Sequence, residues 1–134
     1  MVRNNLQIIC FQLFILKKIS AVVYVIGHEV RYEDKFAAIG DNATIPCHGS
    51  NVTPVLWQHK RTVNSSVSYL YDRGRLIGDY VNKCTINVST YDLTIRDVEV
   101  ADAGEYWCIE NEGFGIKHVT NLFVTGNVST IFIQ

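Results

Sequence analysis

The chain of 134 residues has little proline, a single methionine and no uninterrupted apolar run of the roughly 18 to 20 residues that a spanning helix needs. It also lacks repeats, low-complexity tracts and sustained helical periodicity, so solenoids, disordered linkers and helical bundles are poor descriptions of it. Basic charge is scarce. Arg3, Lys17 and Lys18 fall in the first 27 residues, which hold no acid, leaving 12 − 3 = 9 basic against 13 acidic residues in the remainder. A net charge of about −4 gives no phosphate-binding surface, and nucleic acid is not an expected partner. His28, His48, His59 and His118 show none of the repeated close His/Cys spacing expected of a zinc site, so neither a metal site nor any other cofactor is expected. Enzyme chemistry is likewise not expected: no Ser/His/Asp grouping, paired carboxylates or phosphate-cradling glycine loop is present, and Gly113-Phe114-Gly115 reads as hairpin punctuation.

What is present begins with an export-like N-terminus. Arg3 precedes the apolar stretch Leu6 to Leu16, and a second stretch, Ile19 to Ile26, follows Lys17-Lys18. Residues 1–27 are read as a signal peptide cleaved near His28, the alternatives being an uncleaved anchor or a misassigned start. Residues 28–125 form the expected domain, and 126–134 a C-terminal tail. The remaining length suffices for one core. With no spanning segment in the mature chain as written, the product is expected to be secreted or held at the extracellular face of the cell surface.

Along the domain, strand-like alternation is bounded by turn residues. Val30 to Phe36 with Ala37 to Gly40 reads as a broken edge strand, and Asp41 to Cys47 as the next, with Ala43, Ile45 and Cys47 inward. Val55, Trp57 and His59 form the inward set of a third. Tyr69-Leu70-Tyr71 before Asp72-Arg73-Gly74 reads as a strand and turn leading to an additional sheet edge. Lys83 to Val88, Tyr91 to Asp97, Glu105 to Glu110 and His118 to Val124 complete the set, with a helical turn near Glu99 to Ala103. The predicted fold class is all-β, a two-sheet antiparallel Greek-key sandwich.

Cys47, Trp57, Leu93, Asp102, Gly104, Tyr106 and Cys108 together resemble the framework of immunoglobulin variable-type (V-set) domains over roughly Glu29 to Val124. The ending Glu105-Tyr106-Trp107-Cys108 is similar to V domains of polymeric immunoglobulin receptor-like and related innate receptors, and the run from Tyr80 to Cys108 to single V domains of fish and invertebrate chordate receptors. The resemblance implies a Cys47–Cys108 bridge between the sheets, a core around Trp57, Leu93 and Tyr106, and an ion pair of Lys83 with Asp102, where lysine replaces the family's usual arginine and turns a bidentate pair into a single contact. A bridge closing about 60 residues contributes roughly 4 kcal/mol in the chain-entropy model.

Cys84 is left over. Period two turns it inward with Ile86 and Val88, which suits a buried free thiol, while an intermolecular disulfide or a reactive thiol is the competing reading. Five Asn-x-Ser/Thr triplets, at Asn42, Asn51, Asn64, Asn87 and Asn127, are candidate glycosylation sites. The pairing bulge of antibody-type V domains, Phe-Gly-x-Gly, has no counterpart at the right register, so antibody-style heterodimers are not expected. The outward phase of the same sheet places Gln58, Lys60, Tyr69, Tyr71, Trp107 and Ile109 in one mixed aromatic patch, with Phe114 at the neighbouring hairpin tip. Against that, Trp107 can be covered by its own hairpin and serve packing. The functional expectation is a recognition module, immune or adhesive, for a protein or glycan ligand. The second reading is an adhesive subunit that forms homodimers, with Cys84 as one route.

Overall fold

The computed structural model describes residues 29–47 and 54–126. The leader at 1–27, Asn51, Asn127 and nearly all of the tail lie outside the described residues.

Among the described residues two sheets form from nine strands: β1 (Val30–Ala38), β2 (Ala43–Ile45), β3 (Leu56–Lys60), β4 (Ser68–Asp72), β5 (Arg75–Leu76), β6 (Cys84–Ile86), β7 (Leu93–Ile95), β8 (Gly104–Ile109) and β9 (Lys117–Thr125). A single helical turn α1 (Tyr80–Lys83) precedes β6, and a 3-10 turn (Val100–Asp102) precedes β8. The six-stranded sheet runs β1-β9-β8-β3-β4-β5 and the three-stranded sheet β2-β7-β6. The expected two-layer sandwich is therefore present, but its larger sheet is mixed. β1 lies parallel to β9 in unbroken register from Val30↔Lys117 to Ala38↔Thr125, which corrects both the purely antiparallel expectation and the break expected after Phe36.

Local chemistry explains the connections. The β4–β5 hairpin turns on Arg73 (φ 51) and Gly74 (φ 81), positive φ at both central positions of a two-residue loop, the geometry that matches strand twist. Between β6 and β7, the Asn87 side-chain oxygen accepts from the backbone N–H groups of Ser89 (2.8 Å) and Thr90 (3.2 Å), closing the turn. Tyr91 leaves that turn at φ 64 and aims its carbonyl at the buried Trp57 indole, whose N–H donates to it at 2.9 Å.

The core lies between the sheets. Trp57, Leu70, Leu93, Ile95, Ile45 and Tyr106 are almost wholly removed from water, and the Cys47–Cys108 disulfide (Cα–Cα 5.5 Å) links the layers beside them. Losing a side chain such as Trp57 to alanine costs about 3 to 5 kcal/mol. Cys84 joins the same core at 1% exposure, and burial pushes its thiol up to about 12. In the folded domain the thiol is thus out of reach of solvent and of a second copy's sulfur.

Candidate interaction surface

The outer face of the six-stranded sheet is organised in transverse rows set by strand register. One row runs Val30, Lys117, Ile109, Leu56; the next Tyr32, Val119, Trp107, Gln58, Tyr69; the third Asp34, Asn121, Glu105, Lys60; and a short fourth holds Phe36 and Phe123. The expected patch is brought together only in part. Trp107 opposes Gln58 and Tyr69 stands at the row's end, but Gln58 and Ile109 are buried, Lys60 and Trp107 half-buried. The Trp107 indole donates to Glu105 Oε1 at 2.8 Å and has the Lys117 ammonium 4.5 Å above its ring. Sheet neighbours thus close over it, a contact of about 0.5 to 1 kcal/mol at such a site.

Tyr71 departs from the expected phase. A register shift between Trp57 and Gln58, where Trp57 pairs with Tyr71 but Gln58 with Tyr69, turns both Leu70 and Tyr71 into the core. Phe114 is exposed just beyond the turn Glu110–Gly113, in which Asn111 and Glu112 both adopt left-handed φ. No bulge interrupts the β8–β9 register.

Exposed aromatic surface lies instead at the β1 side. Tyr32 is 70% exposed, Phe36 65% and Phe123 45%, and the Phe36 and Phe123 rings stack at 5.0 Å. Beside Phe123, Val63, Arg61 and Lys60 line a shallow cavity of about 420 Å³. The signal for this surface was present in β1, where Tyr32 and Phe36 alternate with Arg31, Glu33 and Lys35. Read as an ordinary strand, the apolar set would be assigned to the core. The register assigns it to the outside, because Arg31, Glu33 and Lys35 share rows with the inward His118, Thr120 and Leu122.

Below the sheet, the polar framework residues are in contact. Lys83 Nζ lies 3.0 Å from Asp102 Oδ2 and 3.8 Å from Glu99, and donates to the Asp97 carbonyl at 2.7 Å. The lysine thus spreads its donors over three acceptors instead of making one contact. The Tyr106 hydroxyl donates to the Asp102 carbonyl. His59, unassigned beyond its inward phase, stacks on Tyr106 at 4.1 Å. Its Nε2 lies 3.0 Å from the Ala103 carbonyl, which can only accept, so that nitrogen carries the proton and Nδ1 accepts from the Tyr80 hydroxyl at 3.1 Å. Burial lowers the His59 pKa, against the raising effect of the Ala103 carbonyl. At the opposite end, His118 Nε2 and Glu110 Oε2 are 2.7 Å apart and mostly buried, a pair that nothing in local spacing announced.

Asn42, Asn64 and Asn87 are exposed. The Asn42 side-chain oxygen accepts from the Asp97 N–H at 3.0 Å. Among the described residues no group of three or more His, Cys, Asp or Glu side chains is placed to hold a metal, and no helix is long and apolar enough to cross a membrane.

Comparison with solved structures finds similarity to the extracellular domains of the voltage-gated sodium channel beta4 subunit, described as parallel homodimers that explain its role in cell-cell adhesion. The TM-score is 0.57 at 17% identity, over 73% of this chain and 94% of that one. At that identity the likeness concerns the fold. No protein of curated function matches the sequence. The family model for the immunoglobulin domain matches residues 36–119, which is 84 of 134 residues. The chain belongs to the immunoglobulin domain family.

Proposed function

We propose that this domain is an extracellular adhesion module that self-associates without a covalent link. The observation that carries the reading is the exposed aromatic strip of Tyr32, Phe36 and Phe123 on the outer face, a surface that costs solubility and is retained where a partner covers it. The sodium channel beta4 domain, similar in fold, is described as a homodimer with a role in cell-cell adhesion, which makes a second copy the first partner to test. A buried disulfide suits an oxidising, extracellular setting. The β4–β5 hairpin beside β3 supports the variable-type subclass. Candidate glycans at Asn42 and Asn87 flank strands β2 and β6 of the three-stranded sheet, away from the strip.

The second reading, a recognition module for a separate protein or glycan, rests on Tyr69 and Phe114, both exposed near the half-buried Trp107. Beads coated with the chain alone separate the two. Self-association predicts that they cluster without any other protein. Beads that stay dispersed yet bind to cells would replace self-adhesion with ligand recognition.

A further inference from the structure

We infer that the free edge of β1 is the self-association site, joining two copies as antiparallel neighbours about a twofold axis through Asp34. The inference rests on the self-association reading and specifies its geometry.

Backbone direction comes first. Lys117 N–H donates to the Glu29 carbonyl at 3.0 Å and Ile39 N–H to the Thr125 carbonyl at 2.9 Å, so odd-numbered residues direct their polar groups at β9. Because these groups alternate along a strand, Val30, Tyr32, Asp34 and Phe36 direct theirs away from β9, as does Ala38, whose carbonyl already accepts from the Asp41 N–H at 3.1 Å. Among the described residues no strand pairs with β1 on that side. Nine residues in unbroken register therefore present a template for another strand.

Side chains then choose the register. A twofold axis perpendicular to the sheet keeps the outer faces of both copies on one side, so outer residues must oppose outer residues. With the axis at Asp34, all nine residues pair. Glu33 opposes the partner's Lys35 twice, and Tyr32 opposes the partner's Phe36 twice, extending the aromatic strip across the axis. Moving the axis to Glu33 sets two glutamates together and puts Arg31 against the partner's Lys35; moving it to Lys35 sets two lysines together. Charged residues on an edge usually discourage pairing, but here their signs match a second copy of the same strand. The one unfavourable contact is Asp34 against the partner's Asp34 at the axis.

Sedimentation equilibrium of the full chain from a secretory host tests this, with thermal midpoints as the folding control. Glu33→Lys and Lys35→Glu should each weaken dimerisation roughly tenfold or more, and the double exchange should restore it. Asp34→Asn should tighten it roughly two- to fivefold. Asp34→Pro removes an N–H that faces away from β9, so it should abolish the dimer while leaving the β1–β9 ladder in place. Charge variants that dimerise like the parent protein would overturn the edge assignment and leave self-association standing. A parent protein that stays monomeric at millimolar concentration would end both.

Discussion

At the residue scale, buried polar groups tie stability to pH. The Cys84 thiol, held up to about 12 by burial, ionises near its ordinary value of 9.0 once the chain unfolds. Between those values the unfolded state has released a proton that the folded state keeps. Stability from this group is therefore full below pH 9 and falls as pH rises toward 12. Thermal midpoints measured from pH 8 to 11 should decline, and Cys84→Ala should flatten the part of the decline that begins near pH 9. Tyr106, whose hydroxyl burial also raises, adds its share at higher pH. Native-state alkylation at pH 8 should spare Cys84, and only unfolded protein should react. Lys83 gives a separate test, since its ammonium serves Asp102 and the Asp97 carbonyl, both at the edge of the core. Lys83→Ala should cost about 1 to 3 kcal/mol in denaturant unfolding.

At the scale of elements, Gly104 decides how β8 begins. Its φ of +123 is a glycine conformation, and a Cβ there would meet the Lys60 and Arg61 carbonyl oxygens inside contact distance. Gly104→Ala should destabilise the domain by about 3 kcal/mol or more, read as a lowered unfolding midpoint with an unchanged denaturant slope. Gly104 sits in Asp102-x-Gly104-x-Tyr106-x-Cys108, a stretch whose geometry is local, and local geometry is what spacing encodes well. The Tyr106 placement and the 3-10 turn at Val100–Asp102 were legible for that reason. β1 was not. Its alternation announces a strand but not its partner or its buried face, and parallel pairing with β9 depends on residues some 87 positions away. Tyr71 was lost to a one-residue register shift, which reverses a side chain without leaving any mark on the alternation. For Trp107 the sequence left two readings open, partner contact or cover by its own hairpin, because Lys117 and Glu105 come over the ring only once β8 and β9 are paired.

At the scale of the whole molecule, two small layers depend on one covalent link. β2, β6 and β7 contribute only three residues each to the second sheet, so its hold on the first comes from side-chain packing and the Cys47–Cys108 bond. A link separated by 61 residues in sequence lowers the entropy of the unfolded chain by an amount worth about 4 kcal/mol, a large share of the roughly 5 to 15 kcal/mol available to a domain. Both half-cystines are fully buried, so reductant should reach them only through unfolding. Mild reductant on the native protein should therefore leave both fold and association unchanged, whereas the same reductant in denaturant should prevent recovery of the native state at 37 °C. Because Cys84 is sealed in the same core, the denatured, non-reduced chain should run at monomer mass even where the native protein sediments as a dimer. A reductant-sensitive band at twice the monomer mass would show that cohesion within and between copies is shared differently, with sulfur from the core serving the interface.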